Sequence, residues 1–204
     1  MTIEYTGQRP EAKGQRPQQR AAGSGQRGTH ESRITSHDQM IEQNSFLEYW
    51  PSMRRRTRRL IPLIPPDKLE WSPGEGRWTF GDTVRHLAGI ERWMYAESMH
   101  DRPTRYPGHT QDLAEGVEAV LAYHDRCHEE SMALFRALTA QQWLGKSVTP
   151  ADTSITTWKW ARAMVEHEAH HRGQMYMMLG LMGVATPPLF GLTEPEVVAK
   201  SSAV

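Results

Sequence analysis

The sequence predicts an all-α protein, an antiparallel four-helix bundle. Three observations carry this reading. From Met40 onward, apolar residues recur at the three- and four-residue spacing of a helix face in four long segments. No segment shows a convincing two-residue alternation of strand type, and the segments are separated by shorter stretches rich in Pro and Gly. Helices of this length joined by shorter connections pack side by side. The 204 residues suffice for one domain that buries a core without staples.

Residues 1–37 stand apart. GQRP occurs at Gly7–Pro10 and Gly14–Pro17 and returns as GQRG at Gly25–Gly28, and large apolar side chains are almost absent. Such a segment cannot offset its ordering entropy by burial, so a disordered low-complexity tail is expected, with the bundle domain occupying residues 38–204. Basic residues outnumber acidic ones in the tail, but aromatics are not interleaved with them for base stacking. A solvated extension therefore fits better than an RNA or membrane tether.

In the first helix Trp50, Met53, Thr57, Leu60, Ile61 and Ile64 fall at helical spacing, and Pro51 suits a first-turn position that restarts or kinks the helix. Arg54, Arg55, Arg56, Arg58 and Arg59 take the remaining faces, which reads as a solvated surface or, more sharply, as an anion-binding one. Pro62, Pro65 and Pro66 and the loop Trp71–Trp78 lead to the second helix. Thr79 is its N-cap, with Asp82 three residues on completing a variant capping box, and it runs to about Ser98 through Val84, Leu87, Ile90 and Met94. The third helix covers about Asp112 to Leu138, and the fourth, with Trp160, Met164, Met175, Met178 and Leu179, about Thr156 to Met182.

Composition narrows the function. Lys plus Arg and Asp plus Glu balance at 24 each, so no overall field draws the chain to nucleic acid or to an anionic membrane. No apolar run reaches the length of a membrane span, and the N-terminal residues lack the apolar centre of a signal peptide. The single cysteine, Cys127, gives neither a disulfide framework nor a CxxC metal site. A soluble cytoplasmic protein is expected.

The chemistry concentrates in histidines. His167 and His171 are four apart and project from one helix face, and Trp160, Met164, Gln174 and Met178 continue that stripe, so both imidazoles point into the bundle. Two histidines satisfied by hydrogen bonds in a core are the plainer alternative, but a pair at ligand spacing favours a metal. His86 on the second helix is the best third ligand, with Asp82 one turn earlier placed to accept its other ring N–H. Three neutral nitrogen ligands leave open positions, as in a catalytic site; zinc is the first expectation, and nickel, iron or manganese also accept imidazole. Two rivals exist. His124 and His128 share the four-residue spacing with Cys127 between them, though on a more polar segment. His167–His171 also reads as HExxH with Glu168 as general base, but the sheet edge and downstream ligand of a zinc protease are not evident.

TFGDTVRHLAGIERW, then HEAHHRGQMYMMLGLMG, then TPPLFGLT occur in this order, and together they resemble the DinB/YfiT-like superfamily of bacterial metal-binding four-helix proteins over about Ser45 to Val198. The resemblance implies an up-down-down-up bundle, frequent homodimers, and a divalent ion held by a histidine triad that maps onto His86, His167 and His171. It implies further a metal-dependent S-transferase, or a thiol-dependent isomerase, that activates a low-molecular-weight thiol such as bacillithiol or mycothiol against an electrophilic substrate. Arg172 or the Arg54–Arg59 face is then a candidate for a cosubstrate's carboxylates. A hydrolase using metal-bound water and a non-enzymatic metal-binding stress-response protein are the other readings. Substrate choice would rest on the loops Trp71–Trp78 and Tyr106–Gln111.

Overall fold

Four amphipathic helices supply the body. The computed structural model describes residues 36–201, with side-chain surroundings from residue 43 onward; residues 1–35 of the expected tail lie outside the described residues. Helix α1 spans Ser36–Arg58 with Pro51 inside it, so the proline neither starts nor ends it. Proline removes one backbone donor, and burial of Trp50 and Met53 on either side holds the helix. Past Arg58 the chain tightens into two 3-10 turns, Ile61–Leu63 and Pro66–Lys68, each with proline in its first turn.

Helix α2 spans Phe80–Ile90 and opens with the expected capping box. Thr79 Oγ1 accepts from Asp82 N at 2.9 Å, and Asp82 Oδ2 accepts from Thr79 N at 3.1 Å. The path continues through one π turn, Glu91–Tyr95, into the short α3, Ala96–Ser98, which together reach the predicted end. After Gly116, whose φ of 83° favours glycine, α4 spans Val117–Ala137, starting later than the apolar pattern indicated because Gln111–Leu113 forms a separate 3-10 turn. A short α5, Ala140–Leu144, precedes two antiparallel strands, β1 Lys146–Val148 and β2 Ser154–Thr156. At three residues each they are too short to leave a readable alternation. Helix α6 spans Thr157–Leu181 and α7 Glu194–Ser201.

The four long helices close a ring in which α1 touches α4 and α6, and α2 touches the same two. Cross-helix contacts give the directions. Gln43 meets Leu138 while Arg58 meets Asp125, so α1 and α4 are antiparallel; Arg92 meets Glu130 while His100 meets Leu134, so α2–α3 and α4 are parallel. Trp160 meets Ser98 while His167 meets His86, so α6 opposes α2, and the order is up-down-down-up. Among the described residues no helix is long and apolar enough to cross a membrane.

The core falls into two apolar clusters with a polar layer between them. One gathers Leu60, Ile61, Phe80, Val84, Tyr123 and Met175; the other gathers Trp50, Tyr95, Phe135, Trp143 and Met164. On each helix the residues between these sets are polar and buried: Arg54 and Thr57, Glu91, His124 and Ser131, and Glu168. Arg54, expected on a solvated face, is 1% exposed. Its guanidinium lies 3.0 Å from Glu91 and 2.8 Å from Glu168, while Arg55, Arg58 and Arg59 stay at the surface. The charge is buried because the π turn after α2 and helix α6 present carboxylates at that level, which a single helix pattern does not disclose.

Candidate metal centre

The register of two antiparallel helices brings three imidazoles to one point. Capping at Thr79 sets the rotation of α2 and turns His86 inward, and the four-residue spacing on α6 stacks His167 and His171 opposite it. His167 Nε2 lies 3.1 Å from His86 Nε2 and 3.1 Å from His171 Nε2, and the three candidate ligand atoms are all within 4.8 Å of one another. Tetrahedral zinc with imidazole ligands places its nitrogens roughly 3.3 Å apart, so the spacing suits one ion.

The outer nitrogens explain why the inner ones converge. His171 Nδ1 donates to Gln174 Oε1 at 2.7 Å, and Gln174 Nε2 in turn donates to His170 Nε2 at 3.2 Å. His86 Nδ1 pairs with the Tyr106 hydroxyl at 2.7 Å, and that hydroxyl is 3.5 Å from His109 Nδ1. With its Nδ1 protonated, His171 aims an Nε2 lone pair at His167 Nε2, which His86 Nε2 also faces and which has one in-plane hydrogen-bonding position for the two neighbours. One of the two contacts is then left unsatisfied, and a cation at the centre removes the conflict. Burial and, after it, the neighbouring imidazoles push His86 down to about 3; burial and His171 push His167 down to about 4; burial lowers His171 too. All three are neutral near pH 7, the form that binds metal.

Asp82 does not take the partner role expected of it. Its carboxylate is held by Thr79 N and Arg85, and the hydroxyl that meets His86 comes from Tyr106, in the loop before α4. Nothing periodic marks a loop residue, so only its membership of Tyr106–Gln111, singled out as a pocket loop, gave a signal. Trp78, from the other such loop, stacks on His171 with ring centroids 5.4 Å apart and meets His86 and His109 at 4.6 and 4.5 Å. Beside His171 opens a cavity of about 540 Å³ lined by Pro73–Trp78, Thr83, Gln174, Met177 and Met178.

The rival sites resolve differently. Glu168, the general base of an HExxH reading, is 2% exposed and bound to Arg54, turned from the triad into the polar layer. His128 Nδ1 lies 2.8 Å from Glu91, and His124 Nδ1 is 3.3 Å from Asp125, so these two histidines join other partners and not the triad. Arg172 lines a cavity with α1 residues on another face of α6 from the cavity beside His171.

Fold and centre together define a helical bundle whose three-histidine cluster can hold a divalent metal. The chain belongs to the DinB family, whose family model matches residues 40–199. It is 21% identical over 155 residues to the uncharacterized protein YrdA of Bacillus subtilis, covering 74% of this chain and 89% of that one. A DinB-like protein from Bacillus cereus superposes with a TM-score of 0.61 at 14% identity, over 71% of this chain and 95% of the other. The DinB-like protein YjoA of Bacillus subtilis gives 0.56 at 17% identity, with the same coverage. These structural likenesses concern the fold.

Proposed function

We propose that this protein is a metal-dependent transferase that joins a low-molecular-weight thiol to an electrophilic small molecule. The observation that carries the reading is the convergence of three neutral imidazole Nε2 atoms, each able to ligate, beside a cavity of about 540 Å³. Zinc fits the donor set first, and nickel, iron or manganese also accept it. Bound there, the ion supplies Lewis acidity that favours thiolate over thiol.

The chain's own residues do the rest. Tyr106 and Gln174 fix the rings of His86 and His171, and Trp78 covers them from the solvent side, excluding water. Pro73–Trp78, Met177 and Met178 offer a partly apolar wall to the electrophile. In the overall change the cosubstrate sulfur bonds to the electrophilic carbon, the leaving group departs with the bonding pair, and the thiol proton goes to solvent. Cys127 is no nucleophile, being 2% exposed with burial pushing its thiol up to about 11. Among the described residues no carboxylate bonds to a triad imidazole, and Glu168 and Asp82 are both engaged by arginines. Hydrolysis gains from such a base, while a thiol, a far stronger acid than water, needs it less, which favours transfer.

Metal analysis is expected to find about one ion per chain, absent from His171→Ala and retained in His128→Ala. The metal-loaded protein is expected to speed conjugation of a bimane-type electrophile to a small thiol, with Cys127→Ser as active as the parent. Ester or lactone turnover without thiol, and no conjugation, replaces the proposal with the hydrolase. Metal binding without either reaction supports a non-enzymatic role.

A further inference from the structure

Arg56 and Arg172 differ from the other arginines of the bundle interior. Arg54, Arg85 and Arg92 each reach two carboxylates. Arg172 is only 5% exposed, yet its one hydrogen bond is a long 3.5 Å contact from Nη1 to the Met53 carbonyl. Arg56 is half-buried, donates only to the Met53 thioether, a weak acceptor, and rests over the Phe190 ring at 4.9 Å. Neither has a carboxylate within ion-pair distance among the described residues. Both line one cavity of about 580 Å³ between α1 and α6, bordered on one side by Leu189 and the exposed Phe190.

Two guanidinium groups lining one cavity without an anion repel each other, and desolvating one of them adds to the cost. Glu166, which also borders the cavity, is drawn toward Arg162 at 3.5 Å. The remaining wall is apolar or aromatic, with Tyr49, Met53, Val165 and Tyr176.

We infer that this cavity is a second binding site, separate from the histidine centre, for an amphiphilic monoanion whose carboxylate sits between Arg56 and Arg172 and whose apolar body lies along the α1–α6 groove. The two cations fix the charge of the ligand, and the lining and volume fix the rest: a medium-length aliphatic or small aromatic carboxylate fits a cavity of this size. The site does not depend on the metal.

The test is calorimetric titration of the full-length protein with decanoate, decanol and inorganic phosphate. Decanoate is expected to bind once per chain, and decanol and phosphate at least about tenfold more weakly, since each lacks one half of the recognition. Arg56→Gln, a half-exposed change that spares the fold, and Arg172→Gln are each expected to weaken decanoate by about tenfold or more, with unchanged circular dichroism. Arg58→Gln, from an arginine paired with Asp125 outside the cavity, and His171→Ala are expected to bind it as the parent does. Decanol binding as tightly as decanoate, unaltered binding in Arg56→Gln, or no decanoate binding at all overturns the inference. So does loss of binding in His171→Ala, which assigns decanoate to the metal centre. Dissociation of an oligomer by the arginine variants with decanoate affinity unchanged also overturns it, giving the arginines to an interface between copies.

Discussion

Replacing Arg54 by methionine tests the polar layer that separates the two apolar clusters. The change removes the guanidinium that both Glu91 and Glu168 face, leaving two carboxylates that are 1% and 2% exposed. Breaking a buried pair by removing one partner costs about 3–5 kcal/mol. For a domain of this size each kcal/mol moves the midpoint by about 2–4 °C, so Tm is expected to fall by roughly 6–20 °C. The pH dependence should also change. In the parent, burial works to raise Glu91, but Arg54, His128 and Trp50 outweigh it and hold the carboxyl below its usual range. That contribution is present above the unfolded value of about 4.3 and is lost as pH falls through the folded one. Without Arg54 burial loses its largest opponent and only His128 and Trp50 still hold the carboxyl down, so Glu91 protonates more easily than in the parent and the variant's deficit shrinks as pH drops from 7 to 4. Thermal unfolding followed by circular dichroism at both pH values measures this, with Arg58→Met, from an exposed pair, as a control expected to cost about 0–1 kcal/mol. An Arg54→Met protein within 1 kcal/mol of the parent at pH 7 refutes the reasoning, because the carboxylates then find relief without the arginine.

Two further outcomes follow from the centre and from the layer. Tyr106→Phe removes the hydroxyl at His86 Nδ1 and is expected to weaken metal affinity about 10–100-fold, whereas Asp82→Asn is expected to cost about 1 kcal/mol of stability through the capping box and leave affinity unchanged. Competition against a chelator of known affinity decides between them, and equal affinities for Tyr106→Phe and the parent sink the outer-partner assignment. His124 is pushed down to about 4 by burial and then by Arg54, so the folded state keeps it neutral while the unfolded chain protonates near 6.5. Its contribution, about 3 kcal/mol, is complete above pH 6.5 and is lost as pH falls toward 4. Urea unfolding of metal-free protein across that range should show about one proton fewer taken up on unfolding in His124→Gln, and an unchanged slope counts against a buried neutral His124.

Much of the fold could be read along single helices. Helical periodicity located the four long segments, and the Thr79–Asp82 box located the start of α2 to the residue, because a cap is a local exchange of hydrogen bonds. Likewise the four-residue spacing of His167 and His171, with apolar neighbours on the same stripe, was enough to turn both inward. What escaped was whatever depends on a second element. Arg54 looked like one of five surface arginines until Glu91 and Glu168 came to its level. The π turn at Glu91–Tyr95 and the three-residue strands carry no pattern long enough to register.

The sequence by itself determined the helical class, the positions of the long helices and the pairing of two histidines on one face, since each follows from periodicities of 3.6 residues and from caps closed within four. Tertiary structure alone decided that Tyr106 and not Asp82 meets His86, that Glu168 turns to Arg54 and away from the triad, and that Arg56 and Arg172 share a cavity without a carboxylate. The physical reason is the same in each case. A side chain's partner is set by the rotation and register of the helix or loop packed against it, and those are fixed by how all four helices bury their apolar faces at once.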